Sequence, residues 1–273
     1  VDARKNVSDS CLNKQNELFR LLGNVGSALV AFSGGLDSTY LLYAAKICLG
    51  DRVSAFTAET DFVPKTETEA AARVARELGV AHIRRQVYPL SDPHLRLNPP
   101  DRCYFCKRMV YEHAAEAARK LGLGAVMDGT TAEDGKSYRP GSRAVDELGI
   151  VTPLKAAGLG RAELRELSRN AGLSTWDKPS ESCLATRFPY GSTLSIESLR
   201  RVEEGESFLK LLGFRGVRLR VHGTLARVEV ALSDLSAVTE HAIRPIIVET
   251  LRELGFTHVT LDLEGFRSGS MDL

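Results

Sequence analysis

The chain has 273 residues, 43% of them hydrophobic and 26% charged, a composition that supports a real core in one large or two unequal domains. Its 36 basic and 35 acidic side chains leave a net charge of +1, without the basic excess of a protein that holds a long nucleic acid, so a small-molecule substrate and no nucleic-acid partner are expected. No apolar run approaches the ~20 residues that cross a bilayer and no leader pattern opens the sequence, which predicts a cytoplasmic protein with no membrane partner.

In chain order, a helical pattern carries Leu12, Leu18, Phe19, Leu21 and Leu22 on roughly one face until Gly23 and Gly26 break it. The apolar run 28–32 fits a buried strand, Ser33-Gly34-Gly35 a turn, and 37–48 a helix with Leu41, Leu42 and Ala45 facing inward. Strands are predicted at 52–58, 81–88 and 125–128. Helices are predicted at 64–78, opened by Pro64, and at 101–121. Strands that alternate with helices predict a parallel sheet covered on both faces, with ligands at the carboxyl ends of its strands. Residues 141–160 read as irregular and 161–170 as a helix.

The pattern changes near Gly191. A helix at 196–212, strands at 217–222 and 226–232 joined at Gly223-Thr224, a helix at 235–254 and a strand at 258–263 follow. The fold class is therefore α/β: a parallel-sheet domain over 1–190, then a small α+β domain over 191–273.

The sharpest local signal is Ala31-Phe32-Ser33-Gly34-Gly35-Leu36-Asp37-Ser38-Thr39. A strand feeds a glycine turn that opens a helix. Glycines let backbone N–H groups approach phosphate oxygens, and the helix start adds positive potential. Ser33, Ser38 and Thr39 add hydroxyls, and Asp37 either caps the helix or faces a magnesium ion. The Gly-Lys-Ser/Thr ending of a Walker loop is missing. A bare Ser-Gly-Gly would read as a capped turn; the whole string after an apolar strand favours ATP. It resembles the SGGxDS loop of the PP-loop ATP pyrophosphatases, adenine nucleotide alpha-hydrolase-like proteins that split ATP into AMP and pyrophosphate. The resemblance implies ATP at Ala31, Phe32, Ser33, Gly34, Gly35, Asp37 and Ser38. It also points to the neighbouring strand ends at Thr57 and Ala58 and at Asp128, Gly129 and Thr130, where ordinary turn chemistry is the competing reading.

The five cysteines are Cys11, Cys48, Cys103, Cys106 and Cys183. An odd number in such a chain argues against a disulfide scaffold. Cys11 and Cys48 look structural. Cys103 and Cys106 form a C-x-x-C at a helix start, where thiolates are favoured, and Cys183 lies in a distant loop. Three thiolates suit a 4Fe–4S cluster with one open iron. Small buried apolar side chains and a lone thiol are the alternative.

AFSGGLDST, DGTTAEDGKSYRPG, SCLATRFPYG, VRLRVH with ARVEV, and LDLEGFRSG run from residue 31 to 269, and together they resemble the LarE family. That family makes the nickel-pincer nucleotide cofactor of lactate racemase. The resemblance implies an ATP-dependent sulfur transferase that adenylates a carboxylate of pyridinium-3,5-biscarboxylic acid mononucleotide and converts it to a thiocarboxylate. One branch donates the sulfur of a single cysteine, Cys183 here, leaving dehydroalanine. Another has three cysteines and a cluster that carries sulfide. With Cys103, Cys106 and Cys183 present, this chain resembles the cluster branch, with sulfide or another sulfur donor as partner and ATP, Mg2+ and a 4Fe–4S cluster as cofactors. The resemblance also implies a homo-oligomer. A PP-loop tRNA thiolase and a non-catalytic nucleotide sensor are the rival readings.

Arg218, Arg220 and His222 alternate on one strand face, and Glu229 joins them if the hairpin pairs in simple register. Alone this reads as a solvated polar face. With the resemblance, Arg218 and Arg220, oriented by Glu229, are expected to hold the mononucleotide phosphate, which guanidinium groups bind bidentately. Arg187, Arg267 and Lys107 are weaker candidates.

Overall fold

The computed structural model describes residues 7–134, 140–267 and 271. In chain order the helices and strands are α1 (Asp9–Gly23), β1 (Ala28–Ala31), α2 (Leu36–Leu49), β2 (Val53–Glu59), α3 (Lys65–Glu77), β3 (Ala81–Gln86), α4 (Pro93–Arg96), α5 (Arg102–Lys120), β4 (Ala125–Asp128), α6 (Pro140–Glu147), α7 (Pro153–Ala156) and α8 (Arg161–Asn170). They continue with α9 (Ile196–Leu211), β5 (Arg218–His222), β6 (Leu225–Glu229), α10 (Leu235–Thr239), α11 (Arg244–Glu253) and β7 (His258–Leu261). The chain divides into two compact units, one of residues 1–88 and 101–181, the other of 89–100 and 182–273. A single cut near Gly191 was the expectation; the segment 89–100 instead belongs with the C-terminal unit.

The first unit holds a parallel sheet in the order β3-β2-β1-β4, with Ala28 paired to Val53 on one side and to Ala125 on the other. β1 is central because its residues are apolar on both faces. Ala28 and Val30 enter the core around α1, α2 and α8, while Leu29 joins Phe56, Ala114 and Ala117 beneath α5. The predicted two-sided cover is thus present. Residues 141–160 depart from expectation: α6 opens on Pro140, which suits a first helical turn, and Val151 bridges Met127 at the sheet edge. Of the DGTTAEDGKSYRPG stretch, residues 135–139 lie outside the described residues.

In the second unit β5 and β6 form the predicted hairpin, turned at Gly223, whose φ of +63° suits glycine. β7 adds parallel to β6. The helix α9 comes so close that a Cβ on Gly205 would meet Leu219 at 2.6 Å and Leu251 at 3.1 Å. The long helix expected over 235–254 is two, α10 and α11, because Pro245 lacks the N–H that would continue a helix through 241. Among the described residues no helix is long and apolar enough to cross a membrane.

Candidate active site

The loop between β1 and α2 is held by its own serines. Ser38 Oγ lies 3.0 Å from Ser33 Oγ and accepts from the Ser33 N–H at 3.3 Å, and Ser33 Oγ accepts from the Gly35 N–H at 3.4 Å. Gly34 has φ +69°, and a Cβ there would stand 2.7 Å from Ala71 Cα on α3, so the loop needs glycine for both conformation and space. Gly129, just past β4, packs on the start of α2: its Cβ would lie 3.0 Å from Ser38 N. The predicted residues Ala31 through Ser38 and Gly129 therefore gather at the carboxyl end of β1 and β4.

Asp37 stands in the first turn of α2. Its Oδ2 is 3.5 Å from Arg161 Nε, while Oδ1 is buried with no hydrogen-bond partner among the described residues. Burial raises its carboxyl above the usual range; Arg161 opposes the rise and Asp134 adds to it. Arg161 also binds Asp134 at 2.8 Å. At Thr57 the hydroxyl already has work: it donates to Phe32 O at 2.7 Å and sits 2.8 Å from His82 Nε2. Its one proton is used, so His82 Nε2 is the donor in that second bond. Burial, then Arg84, hold the His82 imidazole below its usual pKa, favouring the neutral ring. Asp128 accepts from Tyr111 Oη at 2.6 Å and from the Thr130 N–H at 2.8 Å.

Sequence reasoning missed Lys178. Its ammonium donates to Gly34 O at 3.0 Å and pairs with Glu67 of α3 at 2.8 Å. A cation therefore stands beside the glycine turn, 144 positions away along the chain, where no local pattern announces it. Arg161 was missed for the same reason.

None of the five cysteines is in a disulfide. Cys11 is buried, and burial raises it to about 11; burial also raises Cys48, as suits structural residues. Cys103 is exposed and Cys106 half-buried, both in the first turn and a half of α5. Lys107 lies against Gly141 and over the Tyr111 ring. Among the described residues no three His, Cys, Asp or Glu side chains are grouped so as to hold a metal ion.

In the second unit Cys183 is half-buried and precedes a single 3-10 turn, 184–187. The basic strand is not a solvated face: Arg218 and Arg220 are buried and Glu229 is fully so. Arg218 faces Glu229 across the hairpin, donates to Val217 O at 2.8 Å and lies 4.9 Å from the Phe266 ring. Arg220 donates to Glu229 Oε2 at 3.0 Å and to Thr186 O at 2.9 Å. Glu229 also accepts from Arg227 at 3.2 Å. The register expected for Glu229 is the one observed, and it puts the glutamate between arginines. Arg267 makes an exposed pair with Glu264, which is worth little.

The asparagine synthase family model matches residues 24–94, the stretch that holds β1, the serine-glycine loop, β2 and β3. The chain is 36% identical over 263 residues to the pyridinium-3,5-bisthiocarboxylic acid mononucleotide synthase of Lactiplantibacillus plantarum, spanning 95% of this chain and 94% of that protein. It is 36% identical over 260 residues to the Uncharacterized protein slr1717 of Synechocystis sp., spanning 95% and 97%. One chain of the glutamine-hydrolysing GMP synthase of Pyrococcus horikoshii is 27% identical over 172 residues, 59% of this chain and 55% of that one. With likeness to the Lactiplantibacillus synthase running almost end to end, and the family model matching the stretch that holds the serine-glycine loop, the chain belongs to the LarE family of PP-loop enzymes.

Proposed function

We propose that this chain is an AMP-forming sulfur transferase that converts a carboxylate of pyridinium-3,5-biscarboxylic acid mononucleotide to a thiocarboxylate. The carrying observation is the 33–38 loop, with its left-handed Gly34 and a buried Asp37 Oδ1 that has no hydrogen-bond partner among the described residues. The substrate rests on the likeness to the Lactiplantibacillus synthase.

A carboxylate is a poor electrophile. In the first step its oxygen attacks the α-phosphorus of ATP, the bond to the bridging oxygen breaks, and pyrophosphate leaves. Loop N–H groups, the serine hydroxyls and the nearby Lys178 offset the charge of that leaving group. Asp37 would hold magnesium through Oδ1, a buried carboxylate oxygen without a hydrogen-bond partner among the described residues; the ion would neutralise phosphate charge. In the second step sulfur attacks the acyl carbon, and the bond to the AMP oxygen breaks. Arg218 and Arg220, with Glu229, are proposed to hold the mononucleotide phosphate.

Cys103, Cys106 and Cys183 would hold a 4Fe–4S cluster: none of the three is in a disulfide or fully buried, and thiols are its donor set. Such a cluster would supply iron-bound sulfide as the attacking sulfur. The half-buried Cys183 thiol, at the head of the 184–187 turn, carries a second reading. In it, Cys183 Sγ attacks the adenylate itself. The Cβ–Sγ bond then breaks with loss of the Cα proton, leaving dehydroalanine.

The test mixes protein purified without oxygen with ATP, magnesium, sulfide and the biscarboxylic mononucleotide. Pyrophosphate release that depends on the mononucleotide, and exchange of oxygen for sulfur in it by mass spectrometry, are expected. ATP binding without pyrophosphate, or thiolation of tRNA instead, would contradict the assignment. The implied homo-oligomer is read by light scattering of the same sample.

A further inference from the structure

Arg187 has no exposed side-chain surface, and its partner Glu206 on α9 has almost none. The pair is bidentate: Nε donates to Oε1 at 2.8 Å and Nη2 to Oε2 at 3.0 Å. The remaining nitrogen turns back on its own loop. Nη1 donates to Ser182 O at 3.0 Å, Ser182 Oγ at 2.6 Å, Cys183 O at 3.2 Å and Thr186 Oγ1 at 2.8 Å. Thr186 Oγ1 in turn donates to Cys183 O at 2.7 Å. Behind the glutamate, Oε1 also accepts from the Leu219 N–H of β5 at 2.9 Å. An unbroken polar chain thus runs from the hairpin backbone, through Glu206 and Arg187, to the carbonyls of Ser182 and Cys183.

A buried ion pair is a poor source of stability, because desolvation offsets the Coulomb gain and well-packed apolar residues often do as well. Two apolar side chains would join α9 to this turn. They would not hold the peptide groups on both sides of one thiol. The position of the arginine explains how it does: four residues past Cys183, its long side chain reaches back over the turn it belongs to, and its planar fork serves glutamate and carbonyls at once. We propose that Arg187 is a positioning residue that fixes the Cys183 turn for sulfur transfer. This rests on the role given to Cys183 above.

Three variants test it. Arg187→Lys keeps the charge but loses the fork. Arg187→Met with Glu206→Gln removes both charges together, so no carboxylate is left buried alone, and the amide oxygen still serves Leu219. Thr186→Val removes only the hydroxyl between Arg187 and Cys183 O. Thermal melting establishes that each is folded. The readouts are thiocarboxylate formed per pyrophosphate released, and the rate of Cys183 alkylation by iodoacetamide across pH.

The expected result is a fall in that ratio of roughly 10- to 100-fold in the arginine variants, as for a misplaced reacting group. Thr186→Val should give roughly 2- to 10-fold, the effect of one lost hydrogen bond. The alkylation profile of Cys183 should change while that of Cys103 does not. Folded variants with an unchanged ratio, or with both activities lowered in proportion, would overturn the proposal. Cys183→Ala separates the two levels: if it still transfers sulfur, the role of Cys183 falls and the positioning role with it. If it does not, while the Arg187 and Thr186 variants behave as wild type, only the positioning role falls.

Discussion

Asp37 is caught between two demands. Its carboxyl is half-buried at a helix start with Oδ1 turned inward, and desolvation raises its pKa against the pull of Arg161. A folded pKa above the unfolded one means that the folded state binds the proton more tightly. Stability from this group therefore falls as pH rises from the ordinary aspartate pKa through the raised value, and is regained on acidification. The magnesium role proposed for it needs the opposite, a deprotonated oxygen. Asp37→Asn is thus expected to raise the melting temperature at neutral pH and flatten its dependence across that window. Pyrophosphate release should fall by roughly 100-fold, the scale for loss of a charge-stabilising group. A variant that melts lower at neutral pH would contradict that sign. Residues such as Asp37, Gly34 and Ser38 were legible because their chemistry is local. Lys178, Arg161 and His82 were not, since each acts on a partner brought near only by the folded sheet.

At the scale of elements, the alternation of apolar runs with helical stretches was enough to give the parallel sheet, and the glycine turn between β1 and α2 was visible in outline. Two stretches were misread. The α6 helix was hidden by a proline and glycine at its start, residues that look like breakers unless they fall in a first turn. The split between α10 and α11 was hidden because apolar spacing continues past Pro245. Gly34 tests the fit of two elements. Gly34→Ala puts a Cβ 2.7 Å from Ala71 Cα at φ +69°, so a loss of roughly 1–3 kcal/mol is expected from overpacking and backbone strain, read by denaturant unfolding. ATP binding by calorimetry should weaken in the same protein, because the clash moves the loop that approaches phosphate. Full stability in the alanine variant would show that α3 yields instead.

For the whole molecule, the question is what sulfur chemistry the two units support. Iron and acid-labile sulfide, measured on protein prepared without oxygen, should be about four each per chain if three cysteines hold a cluster. Cys103→Ala should lose them. Iron absent from both, with Cys183 recovered as dehydroalanine after one turnover, would establish the single-use route instead. The family was legible from motifs spread over the chain, whereas the limits of the units were not. Composition changes near Gly191, yet twelve residues that precede α5 in sequence pack with the C-terminal unit.

That early segment has a consequence for how the protein is made. Asn98, at φ +48°, donates from one amide nitrogen to the carbonyls of Ala185, Phe188 and Pro189 at 3.3, 3.1 and 2.9 Å, and Arg96 O accepts from the Leu194 N–H at 2.7 Å. The turn that carries Cys183 is therefore completed by residues synthesised some ninety positions earlier. On the ribosome those residues emerge with no partner, and wait until the last third of the chain arrives. Order of translation and order of assembly differ in this protein, and the turn that carries Cys183 closes only once Leu194 has been made.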